Sequence, residues 1–131
     1  MNYTVQEVAD KMGITSYTIR YYENQGMIPH TKRDENNHRI FDDKNLEWIK
    51  IIICLRNTGM PLKEIKKYLK LAVKGEDTVF ERYQTMLKQQ QRTINEINNL
   101  NYHLQTINRK VTHYAEVLIN HKPDYYTEKI N

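Results

Sequence analysis

The sequence predicts an all-α chain with one small β element, a compact helical headpiece followed by a single long helix. Three observations carry this. Residues 1–75 hold four short runs of helix-period apolar residues, each bounded by cap or breaker residues. Residues 30–41 interrupt those runs with a polar stretch that ends like a hairpin. Residues 78–119 contain neither Gly nor Pro and keep an apolar heptad.

The elements follow in order. Thr4-Val5-Gln6-Glu7 reads as a capping box, in which hydroxyl and carboxylate reciprocally satisfy free backbone donors. Val5, Val8, Ala9 and Met12 then form the stripe of a short first helix, which Gly13 ends. A second helix is capped by Thr15 or Ser16 and runs to about residue 25, with Ile19 and Tyr22 inward. Met27 and Ile28 continue its apolar face, and Pro29 prevents the helix from resuming. Asn37-His38-Arg39-Ile40-Phe41 is the hairpin tip and return strand.

Asp42 or Asp43 caps a third helix over residues 44–57. Trp48, Ile49, Ile51, Ile52, Ile53, Cys54 and Leu55 cover most of its circumference, which predicts the most buried element. Gly59 ends it. Pro61 opens a fourth helix over residues 62–73, with stripe Leu62, Ile65, Leu69 and Val73.

In the long helix the heptad places Phe80, Leu87, Ile94, Asn101, Asn108 and Ala115 at a. Tyr83, Gln90, Ile97, Leu104, Val111 and Leu118 fall at d. Val79, Met86, Leu100, Ile107 and Tyr114 widen this seam. About 42 helical residues span roughly 63 Å, against a diameter of about 30 Å for a 75-residue globule. The helix is therefore expected to overshoot its headpiece and to cover its seam with a second copy. The expected dimerisation residues are Phe80, Tyr83, Leu87, Ile94, Ile97, Leu104, Val111 and Leu118, with Gln90, Asn101 and Asn108 fixing register. A heteromeric coiled coil is the alternative. The predicted domains are 1–75 for the headpiece, 76–119 for the coiled-coil helix, and 120–131 for a tail that is loose or packs locally.

Composition narrows the function. The chain has 131 residues, 20 basic and 16 acidic side chains, and a net charge of +4. Residues 1–75 carry 13 basic and 9 acidic groups, so the whole excess lies in the headpiece. The hydrophobic share of 39% permits only a small core. A single cysteine excludes an internal disulfide and a multi-cysteine zinc site. No apolar run approaches the roughly 18 residues that span a bilayer. Met1-Asn2-Tyr3-Thr4 lacks the basic-then-apolar pattern of a signal peptide. A soluble intracellular protein with no membrane partner is expected.

No nucleophile–base motif, Gly-rich phosphate loop or paired catalytic carboxylate stands out, so no enzyme, catalytic residue or cofactor is expected. His30, His38, His103, His113 and His121 lack close ligand spacing and read as surface residues without a metal.

Two short helices joined at Gly13 make a helix-turn-helix whose second helix is available for the major groove. On it Ser16, Tyr17, Arg20 and Tyr21 lie away from the Ile19/Tyr22 face. They offer a hydroxyl, phenols and a guanidinium to phosphates and base edges.

These residues carry a resemblance. Tyr3-Thr4-Val5-Gln6-Glu7-Val8-Ala9 precedes Thr18-Ile19-Arg20-Tyr21-Tyr22-Glu23-Asn24-Gln25-Gly26-Met27-Ile28-Pro29. Arg33-Asp34-Glu35-Asn36, then Asn37-His38-Arg39-Ile40-Phe41, and Gly59-Met60-Pro61-Leu62-Lys63-Glu64-Ile65 follow. Residues 1 to about 75 thus resemble the MerR family of bacterial transcription regulators. Asn37 and His38 depart from it, standing where the family usually has Gly and Tyr; Asn tolerates the positive φ that such a turn needs.

The resemblance implies a winged helix-turn-helix DNA-binding domain and a homodimer joined by an antiparallel coiled coil. It implies double-stranded promoter DNA as partner, with a long spacer that the dimer bends and untwists, and RNA polymerase as an indirect partner. It also implies a bacterial, cytoplasmic, nucleoid-associated protein. Carried onto this chain, Ser16, Tyr17, Arg20 and Tyr21 are the recognition-helix contacts. Arg39 is a wing–phosphate contact, and Lys63 meets a phosphate near the Pro61 helix start. Tyr22 is expected to pack under its helix.

The family's metal-sensing branch needs a cysteine pair after the long helix, and residues 120–131 hold no Cys. Its drug-binding branch carries a large C-terminal domain, for which about a dozen residues leave no room. Trp48-Ile49-Lys50-Ile51-Ile52-Ile53-Cys54-Leu55-Arg56, Gly75-Glu76-Asp77-Thr78 and Arg82 resemble instead a single-cysteine subgroup that answers aldehydes and other electrophiles or nitrosative stress. Cys54 is then the sensor candidate, with Lys50 one turn before it as the cation that favours the thiolate. Three alternatives stay open. Cys54 is a buried small hydrophobe, a non-covalent ligand binds between the long helix and helices three and four, or the chain is a coiled-coil adaptor whose basic head binds an acidic protein.

Overall fold

The computed structural model describes residues 1–124, ordered as β1 (Asn2–Tyr3), α1 (Val5–Met12), α2 (Ser16–Asn24), β2 (Lys32–Arg33), β3 (Arg39–Asp42), α3 (Asp43–Asn57), α4 (Leu62–Lys74), a single 3-10 turn (Glu76–Thr78) and α5 (Val79–Asn120). The chain forms two compact units, Met1–Gln89 and a second beginning at Gln90. The boundary between these two units falls inside α5. The reason is local: Thr78 and Gln89 are buried in the first unit, and Met86 packs against its core.

Capping decides the helix starts. The Thr4–Glu7 box opens α1, Thr15 caps α2, and Asp42 with Asn45 forms a second box at α3. Gly13 closes α1 at φ 68°, in the left-handed region that favours glycine, so the chain turns straight into α2. Asn37, at φ 63°, makes the wing turn as expected of an Asn.

The small sheet is antiparallel with order β1-β3-β2, pairing Tyr3 with Phe41 and Arg33 with Arg39. The two-residue β1 has no periodicity and was not predicted. Tyr3 anchors it: the phenol donates to Asp43 Oδ1 at 2.8 Å, which raises the Tyr3 pKa and lowers that of Asp43.

Val8, Ile19, Phe41, Ile49, Ile52 and Ile65 form the solvent-free centre of the core. On α3 the inward face is Leu46, Ile49, Ile52 and Leu55, while Trp48, Ile51 and Ile53 are half-buried. Asn45 is buried beside them, its amide donating to Pro29 O at 2.7 Å.

Two corrections concern this core. Val73, expected on the α4 stripe, is exposed, and Leu71 is buried in its place. The chain turns back at Gly75 and brings Thr78 Oγ1 to 2.6 Å from Leu71 O, which closes that side of the helix. Cys54, second, is exposed and is not a core residue. Two positions after Ile52 the helix has turned by about 200°, so the thiol leaves the buried face.

From Gln90 to Asn120 no residue of α5 is buried within the chain, and the heptad positions Ile94, Ile97, Leu104, Val111 and Leu118 are exposed. His113, expected at the surface, is half-buried, with Nε2 2.9 Å from Asp124 Oδ1. Of the predicted tail 120–131, residues 125–131 lie outside the described residues. Among the described residues no helix is long and apolar enough to cross a membrane.

Candidate nucleic-acid interface

The second helix of the helix-turn-helix is α2, and its two faces separate cleanly. Ile19 and Tyr22 are buried, whereas Tyr17 is 78% exposed and Arg20 is open to solvent. Tyr21 is half-buried, its ring 6.1 Å from that of Tyr22. Ser16 is half-buried and donates from Oγ to Gln6 Oε1 at 3.0 Å, which ties α2 to α1. Tyr22 packs under its helix, as expected.

Beside α2 lies an open groove of about 600 Å³. Thr4 and Gln6 of the α1 start, Ser16 and Arg20 of α2, and Asn37 and His38 of the wing tip share it. One surface therefore presents hydroxyls, amides and a guanidinium from three elements, groups suited to phosphate oxygens and base edges. Beside them stand the carboxylates of Glu7 and Asp34, which are engaged in the α1 capping box and the wing turn. A cleft of about 160 Å³ on the other side of α2 is lined by Tyr17, Tyr21, Arg56 and Leu62. Arg56 was not singled out from the sequence; it sits at the end of a helix read as apolar.

The wing is built around Asp34. Its Oδ1 accepts from the backbone N–H of Asn36 at 2.9 Å and of His38 at 2.8 Å, and its carboxyl is held below the usual range, first by the His38 N–H. His38 Nδ1 stands 3.5 Å from Asp34 Oδ2.

Arg39 does not lie free for a phosphate. Its Nε donates to Glu23 Oε1 at 3.2 Å and its NH2 to Asn24 Oδ1 at 2.7 Å, with the side chain only 18% exposed. Arg33 donates to the same Glu23 oxygen at 3.2 Å and to the Asn37 carbonyl at 3.2 Å. Neither Glu23 nor Arg33 was assigned a role from sequence, because isolated charges do not declare partners across a turn.

Lys63 is exposed at the start of α4, where Pro61 supplies no side-chain cap. Lys66, Lys67 and Lys70 line the same face, and Lys66 Nζ donates to Gln25 Oε1 at 2.6 Å. Lys50, expected to support the Cys54 thiolate, is paired with Glu47 at 3.1 Å. Glu47 precedes Lys50 by less than one turn on the same face and attracts the ammonium. Among the described residues, no three His, Cys, Asp or Glu side chains come together as a metal ligand set.

Residues 3–72 match the MerR HTH family regulatory proteins. The chain belongs to the MerR family. It is 38% identical over 116 residues to an HTH-type transcriptional regulator of Haemophilus influenzae, covering 88% of this chain and 86% of that one. With the HTH-type transcriptional regulator AdhR of Bacillus subtilis it shares 36% identity over 90 residues, 69% of this chain and 64% of AdhR.

Among solved structures it resembles HiNmlR, a MerR family regulator lacking the sensor domain, bound to promoter DNA. The TM-score is 0.83 at 37% identity, with 89% of this chain and 93% of that one covered. A MerR family regulator of Listeria monocytogenes gives a TM-score of 0.82 at 31% identity, covering 90% and 89%. This MerR-family chain is a DNA-binding transcription regulator, which sets the adaptor alternative aside. Its helix-turn-helix and β wing are the family's, carried here with Asn37 and His38 at the wing tip.

Proposed function

We propose that this chain works as a homodimer that grips a promoter through α2 and the wing, deforms it, and is switched by electrophile attack on Cys54. Ser16, Tyr17, Arg20 and Tyr21 read or brace the major groove. Lys63 meets a phosphate at the α4 start, and Arg39 serves the wing from its seat on Glu23. The observation that supports this reading is the shared groove of Ser16, Arg20, Asn37 and His38, which offers recognition helix and wing to one duplex.

The exposed heptad of α5 supports dimerisation. Two headpieces on one rod bind two half-sites, and contacts to phosphates offset a bending strain of about 1–6 kcal/mol. The bent, untwisted spacer then aligns the promoter elements for RNA polymerase in the bacterial cytoplasm. Exposure of Cys54 leaves its thiol open to an aldehyde, the chemistry that the resemblance of the Trp48–Arg56 segment to a single-cysteine subgroup implies.

Footprinting on the DNA upstream of its own gene tests both parts. Two protected half-sites are expected, with altered cleavage between them after aldehyde. Cys54→Ser is expected to keep the footprint and lose that alteration. A full aldehyde response in the Ser variant would refute cysteine sensing in favour of a non-covalent ligand. Uniform protection with no half-sites would refute promoter recognition.

A further inference from the structure

We infer that Glu23 is a positioning residue for DNA binding: by bridging Arg33 and Arg39 it fixes the wing against the recognition helix so that both can engage one duplex. The inference deepens the DNA-binding reading above and rests on it.

The argument starts from the sheet register. Arg33 on β2 stands directly opposite Arg39 on β3. Like charges directly opposite on paired strands repel, so the Arg33–Arg39 pair below the Asp34 turn strains the base of the hairpin unless a counter-charge stands beside it. Apolar packing cannot hold it, because none of residues 32–39 is buried. The β2 strand has only two residues, too short a ladder to fix the tip by itself.

The counter-charge comes from outside the hairpin. Glu23, in the last turn of α2, has a side chain only 12% exposed, and one of its oxygens accepts from both arginines at 3.2 Å. Asn24 adds the 2.7 Å bond to Arg39, and the Asn37 carbonyl receives Arg33. These charge-assisted bonds tie both wing strands to the helix that enters the groove. Two guanidiniums against one carboxylate also leave excess positive charge at the wing base, where a duplex would approach.

Glu23→Gln keeps the shape and removes the charge, and three readouts test it in the full chain. Operator affinity is measured on a duplex from upstream of its own gene, against a random duplex of equal length at fixed salt. E23Q is expected to weaken the upstream duplex about tenfold and to leave the random duplex within about twofold, because the cations remain. Adding Arg33→Gln to E23Q is expected to recover most of the loss, since the facing guanidiniums no longer repel. In the free protein, wing amides are expected to exchange about tenfold faster in E23Q, with α1 and α3 unchanged.

Equal weakening on both duplexes, no recovery with Arg33→Gln, unaltered wing exchange, or loss of the cooperative melt would each overturn the inference. The exchange arm needs no DNA, so it judges the clasp even if wild-type protein shows no preference between duplexes. That last result would count against the DNA-binding reading instead.

Discussion

The side-chain amide of Gln89 donates to both the backbone carbonyl and the hydroxyl of Thr58, at 3.0 and 3.1 Å, with Gln89 only 4% exposed. Thr58 is the C-cap of α3, and its hydroxyl in turn reaches the carbonyls of Cys54 and Leu55. Gln89 therefore satisfies one carbonyl that the helix end leaves open, that of Thr58, and braces the hydroxyl that serves two more. Gln89→Ala is expected to cost about 0.5–1.5 kcal/mol, the net loss of a hydrogen bond to the half-buried Thr58. Thermal melting checks this, with Gln90→Ala, at an exposed position, as the control that should leave the midpoint nearly unchanged. Equal midpoints for the two variants would show that Gln89 carries no such load.

What the sequence made legible was local. The Thr4–Glu7 box, the Gly13 turn and the Asp42 cap each depend on residues within one turn of each other, and each stands where it was expected. What it hid was long-range. Gln89 lies outside the heptad seam, and its partner is 31 residues away. Arg39 resembles a free wing cation until Glu23, 16 residues earlier, is folded beside it. Val73 continues the α4 stripe by spacing, but the turn at Gly75 buries Leu71 instead. Cys54 sits in an apolar run, and only the three-dimensional phase of α3 places it outside.

Arg20 is expected to act as a cation at the duplex. It lines the groove next to Ser16, and none of the hydrogen bonds or ion pairs described above engages it. Arg20→Ala should weaken operator binding by about 1–3 kcal/mol, as for a base-edge contact. If Arg20 meets a phosphate instead, the loss spreads evenly over all sequences and the salt slope falls by about one. Titrations at several salt concentrations on matched and mismatched duplexes separate these outcomes. Unchanged affinity on both would remove Arg20 from the interface.

Asp34 makes the wing turn sensitive to acid. Its carboxyl pKa is depressed in the fold, chiefly by the His38 N–H, with Asn36 adding to it. A depressed carboxyl contributes stability above its unfolded value of about 3.9, and that contribution disappears as pH falls through the lower folded value. The wing is therefore expected to keep its turn at neutral pH and to loosen below about pH 4. Amide shifts of Asn36 and His38, followed by NMR, should report this transition. Asp34→Asn should abolish it. Persistence of the same acid transition in the Asn variant would assign it to another group.

The exposed seam of α5 sets the last expectation. A helix with no fully buried residue from Gln90 to Asn120 has little packing within its own chain to stabilise it there, and isolated helices are marginal in water. Ile97 and Leu104 occupy successive d positions and are each about half exposed, at 52% and 50%. Pairing with a second copy would cover them. Ile97→Lys with Leu104→Lys places like charges in the centre of that seam, where a coiled coil takes apolar knobs. Sedimentation equilibrium is expected to change from dimer to single-chain mass, with helical signal lost first from the second unit. Operator binding should fall with it, because two linked headpieces bind with an effective concentration that a lone one lacks. A wild-type chain that sediments as a folded single chain at micromolar concentration would remove the dimer from the mechanism.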